Sequence, residues 1–161
     1  MAADDYRVEK RRVQVLLHDS EGEVWEGAFL CDPYSSRHSG PQLLSELLND
    51  PQPFVPLFEE GKEVATLVHK RHIIYVEMIP GGGGVGLEQV ADFGDLRPVV
   101  LVLPHEHEVQ GKVSVSGPEG QTRVLDCLNR SERFVQVLRP EGDCVVNLDF
   151  VIAANDTPAR D

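Results

Sequence analysis

The chain has 161 residues, and 15 Lys+Arg set against 27 Asp+Glu leave a formal charge of −12 and a pI near 4.8. A hydrophobic fraction of 41% with 26% charged residues is the composition of a folded domain, not of a disordered chain. So acidic a chain is a poor general binder of nucleic acid or of an anionic membrane, where affinity comes from Lys and Arg neutralising phosphates.

The first twelve residues carry charge and no apolar core of the kind a secretory signal needs. No run approaches the roughly 18 apolar residues of a membrane span. Cys31, Cys127 and Cys144 form no CxxC pair, which fits reduced thiols. These features point to a cytoplasmic protein, in which the Asn129-Arg130-Ser131 and Asn155-Asp156-Thr157 sequons are chance matches.

In chain order, Arg12–His18 alternates apolar and polar residues and predicts a half-buried strand. A turn at Ser20–Glu23 returns the chain as Val24–Cys31, the second arm of a hairpin. Gly27 lies inside that arm, where glycine marks a bulge or a close backbone approach. Asp32–Pro41 reads as a loop. Leu43–Leu48 predicts a short helix, opened by Pro41 and ended by Asn49-Asp50-Pro51. Phe54–Phe58 and Val64–Leu67 predict a second hairpin, and His72–Ile79, rich in β-branched and aromatic residues, a final strand. Pro80–Gly86 reads as a flexible linker, and Leu87–Phe93 as one or two helical turns.

The rest of the chain repeats this order. Val99–Leu103 and Val109–Val115 predict a hairpin with Gly111 in its second arm, Gln121–Leu128 a helix, and Phe134–Leu138 and Val145–Ala153 closing strands. Leu48-Asn49 matches Leu128-Asn129, Phe54-Val55 matches Phe134-Val135, and the Asn-to-Phe interval is five residues in both. Gly27 to Asn49 spans 22 residues and Gly111 to Asn129 spans 18, so the Asp32–Pro41 loop is an insertion in the first copy. The expected fold is α+β, mainly β: two tandem small barrel-like or antiparallel-sheet units, each with one short helix, packed with pseudo-two-fold symmetry. The first repeat covers residues 10–80, a Gly-rich linker with a short helix 81–97, and the second repeat 98–155. Copies of this size bury too little surface to be robust alone, which favours packing against each other.

The Leu-x-(Asp/Glu)-x-Leu-Asn helix followed by Phe-Val, in Leu44–Asn49 with Phe54–Leu57 and in Val124–Asn129 with Phe134–Val137, resembles a small uncharacterised bacterial β-rich domain. That resemblance brings no catalytic residue with it. Separately, Leu67–Ile73 is similar to the Tyr-Lys-His-Ala segment of the bacterial Sm-like RNA chaperone, whose Lys-His pair touches RNA. The similarity implies RNA contacts by His69–His72, but the second copy carries Asn147-Leu148-Asp149-Phe150 there, with no base.

Four features carry candidate chemistry. Gly81, Gly83 and Gly86 satisfy GxGxxG, yet a dinucleotide site needs the motif between a strand and a long helix, and none follows. His105 and His107 would share one face of a strand and are candidate metal ligands, two of the three or four that zinc requires; Pro104 and Gly111 around them favour a polar turn instead. His69, Lys70, Arg71 and His72 form the densest basic patch and are the expected partner-binding residues. Ser35 and His38 are close in sequence, with no third group to orient them.

No constellation supplies a nucleophile with its base, so the expected protein is not an enzyme and needs no cofactor. The reading is a non-catalytic adaptor or regulatory protein acting through protein–protein contacts. The partner class expected is a small GTPase or response regulator in bacterial signalling or cell polarity, although no residue specifies it. The alternatives are an Sm-like RNA-binding protein using His69–His72 and a metal-dependent enzyme around His105 and His107.

Overall fold

The computed structural model describes residues 9–90, 95–115 and 123–155. The first half runs β1 (Arg11–Asp19), β2 (Val24–Cys31), α1 (Leu44–Leu48), β3 (Phe54–Leu57), β4 (Thr66–His69), a 3-10 turn at Lys70–His72 and β5 (Ile73–Met78). After a 3-10 turn at Leu87–Gln89, the second half runs β6 (Asp95–Val102), β7 (Glu108–Val115), α2 (Val124–Arg130), β8 (Phe134–Val137), β9 (Cys144–Asn147), a 3-10 turn at Leu148–Phe150 and β10 (Ala153–Asn155). The protein is mainly β, with 44% strand against 15% helix, and its antiparallel sheets do not close into a barrel.

Three sheets result, ordered β2-β1-β5-β9-β8, β10-β6-β7 and β3-β4. Period-two burial drives them: in β1, Val13, Val15 and Leu17 point inward and are buried, whereas Arg12 and Gln14 are exposed. The five-stranded sheet draws strands from both halves, and so do the cores. Phe134 and Val145 pack into the cluster around Val15, Phe29 and Leu57, and Ile74 and Tyr75 into the one around Leu101 and Val113.

The halves pair their strands in the same order. β1 pairs with β2 and β5, as β6 pairs with β7 and β10. β3 pairs with β4 as β8 pairs with β9, and isolated bridges join Ala28 to Phe58 and Lys112 to Leu138. β5 also pairs with β9, whereas β4 and β10 are sheet edges that do not pair with each other. The pairing therefore establishes no two-fold relation between the halves.

Gly27 and Gly111 are where β3 and β8 cross closest. A Cβ on Gly27 would lie 2.9 Å from the Phe58 carbonyl oxygen, and one on Gly111 would press into the Leu138 carbonyl and lie 2.6 Å from Val137 Cγ1. The glycine run read as a flexible linker instead lies along β1. Gly82 accepts from the Gln14 N–H at 2.8 Å, Gly81 and Gly83 have φ of 75° and 95°, and a side chain on Gly83 would collide with the Arg12 carbonyl. Glycine is needed there for close approach, not for freedom.

Some boundaries differ from expectation for local reasons. The second arm of the β3 hairpin is Thr66–His69 rather than Val64–Leu67, because the ladder starts at Leu57↔Thr66 and the Glu59 carboxylate accepts from the Thr66 hydroxyl at 2.7 Å. His72 leaves the expected His72–Ile79 strand and joins the Lys70–His72 turn because the His69 ring accepts from the Arg71 N–H, at 3.2 Å, and turns the backbone. Asn147 does the same to Asp149 at 3.0 Å and splits the expected Val145–Ala153 strand. The second helix begins at Val124; residues 121–122 of its expected span, and 91–93 of the turn after the glycines, lie outside the described residues.

Candidate functional site

The basic residues arrive at one end of the molecule because β4 runs into the Lys70–His72 turn beside the start of β8. A cleft of about 410 Å³ opens there between the halves, lined by residues 48–53, by His69, Lys70 and Arg71, and by Glu132, Arg133 and Phe134. The four basic residues do not act alike. Lys70 is only 4% exposed; its Nζ donates to the Asp50 carbonyl at 2.8 Å and its N–H to the Pro53 carbonyl at 2.9 Å. Burial pushes its pKa down. It ties the α1–β3 loop to the turn and is not presented to a partner.

Arg71 is exposed at the rim, and its guanidinium makes no hydrogen bond or ion pair with a described residue. His69 stacks edge-on against Phe54, with ring centroids 4.7 Å apart. Desolvation, then the charges of Arg71, His72 and Arg133, holds its pKa below the usual value. With Nδ1 accepting from the Arg71 N–H, the neutral ring carries its proton on Nε2. His72 turns away, its Nδ1 3.0 Å from the Ser20 hydroxyl. From across the cleft Arg133 contributes a second cation, paired with Asp149 at 2.9 Å, and Glu132 pairs with Arg37 of the inserted loop.

His105 and His107 are separated by the turn that holds them. His105 and Glu106 have φ of 61° and 63°, the left-handed pair of a tight hairpin turn. His105 Nε2 lies 3.0 Å from the Ser20 carbonyl, whereas His107 Nδ1 lies 3.1 Å from the Tyr75 hydroxyl. Tyr75 stacks flat on His18 at 4.1 Å, and His18 Nε2 meets Glu77 at 2.8 Å. Burial, then the charges of His18 and His105, lowers the His107 pKa, and burial raises Tyr75 to about 12. Among the described residues no three His, Cys, Asp or Glu side chains gather as a metal would need.

Ser35 and His38 meet the same group rather than each other. The Glu46 carboxylate accepts from the Ser35 hydroxyl at 2.6 Å, contacts His38 Nε2 at 2.7 Å and accepts from the Leu43 N–H at 2.9 Å. Burial raises this carboxyl, but these three bonds outweigh it and hold its pKa below the usual range. The cluster anchors the inserted loop to α1. At the glycine motif, the N–H of Leu87 donates to the buried Asp143 carboxylate at 2.8 Å, so a carboxylate already fills the place a phosphate would take.

The sequence reading did not identify Asn49, Arg133 or the His18–Glu77 pair. Asn49 had a signal, the shared Asn-to-Phe interval; its side chain bonds both backbone groups of Phe134, donating to the carbonyl at 2.8 Å and accepting from the N–H at 2.9 Å. Arg133, His18 and Glu77 had none, because only the tertiary fold brings them to their partners. No known protein family, curated protein or solved structure matches this chain.

Proposed function

We propose that the protein is a non-catalytic adaptor made of two diverged tandem copies of one β-rich unit, which binds another protein at the Arg71–Arg133 cleft. The observation that carries the reading is Arg71. In a chain of charge −12, this exposed cation has no acidic partner among the described residues and sits on the rim of a cleft built jointly by both halves. Such a group raises encounter rate and specificity for an acidic protein surface. Glu132 and Asp50 line the same walls, so the cleft suits a single acidic side chain placed at Arg71 and not a continuous polyanion, which disfavours the RNA reading. The tandem origin is supported by the shared strand order, the equivalent bridges at Phe58 and Leu138, and the glycines opposite them.

The test is a tagged pull-down from native lysate with and without nuclease, using wild type and the Arg71→Glu/Arg133→Glu variant. The expected result is one dominant protein that survives nuclease and is lost with the charge reversal. Recovery that vanishes with nuclease, or that ignores the reversal, overturns the proposal.

A further inference from the structure

We propose that chains associate head to tail, β10 of one copy adding to the free edge of β4 in the next, as β5 adds to β9 within a chain. The inference rests on the tandem-copy part of the reading above and not on the cleft.

Inside the chain, β5 meets β9 with Tyr75↔Val146, Val76↔Val145 and Glu77↔Cys144 in register. The junction seals Ile74 and Val145 completely and leaves Phe134 2% exposed. Position for position, Phe134 corresponds to Phe54, Val145 to Leu67 and Ile74 to Ile152. Those counterparts are 51%, 66% and 68% exposed, and they are among the largest apolar side chains left in solvent. Each half thus carries one complementary surface that the other half covers and one that no strand among the described residues covers.

The polar parts of the junction have counterparts too. Asn49 holds the backbone of Phe134, and Asn147 donates to the Ile73 carbonyl at 2.9 Å. In the unoccupied surface, Asn129 stands exposed where Asn49 stands, and would reach the backbone of the next chain's Phe54. His69 stands where Asn147 stands, and its Nε2–H is the donor suited to the next chain's Val151 carbonyl. The strand register then places Ala153 opposite Val68, Ala154 opposite Leu67 and Asn155 opposite Thr66.

The edges are short, four and three residues, but carry no Lys, Pro or inward charge of the kind that blunts a free edge: β4 reads Thr-Leu-Val-His and β10 Ala-Ala-Asn. The two surfaces are different, so the contact is heterologous: each chain offers one β4 and one β10, and the assembly grows past a dimer until it closes into a ring or extends. Asp149, the counterpart of Arg71, is 63% exposed at the internal junction, so Arg71 stays accessible in the assembly.

Sedimentation velocity on the full chain across a wide concentration range tests this, with Leu67→Arg and Ile152→Asp as variants. Both positions are exposed in the single chain, so far-UV circular dichroism should match wild type, and the thermal midpoint should match it at a dilution where wild type is itself a single chain. Wild type is expected above twice the 17.9 kDa chain mass, and each variant alone at one chain mass. Mixed equally, the variants are expected to form a capped dimer, because Leu67→Arg keeps a sound β10 and Ile152→Asp a sound β4. Wild type that stays monomeric, variants that assemble like wild type, or a mixture that stays monomeric overturns the proposal. Wild type that stays monomeric but still captures a protein through Arg71 would sink this inference alone; assembly without Arg71-dependent capture would sink only the cleft.

Discussion

Asn49 is the best single probe of how the two halves are joined. It follows α1 in the first half, yet its amide pairs with the edge backbone of β8 in the second, standing in for a strand at 2.8 and 2.9 Å. Removing the amide in Asn49→Ala loses two bonds worth about 0.5–1.5 kcal/mol each and leaves a buried N–H and carbonyl needing new partners. Phe134 is 2% exposed as a residue, but both residues line the open cleft, so water can reach part of the gap. The expected loss is therefore about 2–3 kcal/mol, a large share of the roughly 5–15 kcal/mol typical of a domain. Asn49→Asp keeps the acceptor but turns a carboxylate on the Phe134 carbonyl, and is expected to be no better than alanine. Urea unfolding followed by far-UV circular dichroism, with Trp25 fluorescence as a second probe, measures both. Alanine within about 0.5 kcal/mol of wild type, or aspartate equal to wild type, would refute the reasoning. Asn129→Ala, at an exposed site, should leave the stability of the single chain unchanged and weaken only self-association.

Three further outcomes follow from the same geometry. Gly111→Ala should cost about 3–5 kcal/mol, since the new Cβ must force β7 and β8 apart and strain the Lys112–Leu138 bridge, while Gly27→Ala, with more room, should cost about 1–3 kcal/mol; the reverse order in urea melts would contradict the packing described. The His107 pKa is held below the ordinary histidine value, so the folded state resists protonation there. Its contribution is present above about pH 6.5 and is lost as pH falls through the folded value. Urea midpoints from pH 8 to 5 should thus fall less steeply in His107→Gln than in wild type, and equal slopes would discount His107. Tyr75, raised to about 12, should give a tyrosinate absorbance step well above pH 10 that Tyr75→Phe abolishes while the fold persists. Because that pKa is raised by folding, its contribution is intact below about pH 10 and fades as pH climbs toward the folded value.

The strands were legible because burial on one face imposes a period of two, which Val13, Val15 and Leu17 keep without interruption. The glycines at 27 and 111 were legible as close approaches because a strand tolerates glycine poorly unless something crosses it. What was hidden was which surface each strand edge meets. Nothing local in Cys144–Asn147 says that β5 will cover it, and nothing in Thr66–His69 says that its own edge stays open. The end of the Lys70–His72 turn was hidden because the β-branched run from Ile73 extends the expected strand back to His72, whereas a single hydrogen bond from the Arg71 N–H to the His69 ring holds His72 in the turn. Lys70 was read with its basic neighbours because charge is visible in sequence, whereas its burial against the Asp50 carbonyl is tertiary.

The two halves also differ in a way that leaves Arg71 without an acidic partner among the described residues. In the second half, Asp149 follows the strand end and is answered by Arg133 at 2.9 Å, both side chains more than half exposed. In the first half the equivalent positions are Arg71 and Pro53. A proline has no charge to offer, and its carbonyl is already taken by the Lys70 N–H at 2.9 Å. A pair that is closed in one copy is thus open in the other, and the open cation faces the cleft. An exposed pair of this kind contributes only about 0–1 kcal/mol, so reversing Arg71 should leave the urea midpoint where it is. A binding defect in Arg71→Glu would then report on the surface and not on the fold, whereas a matching drop in stability would mean that Arg71 serves the structure after all.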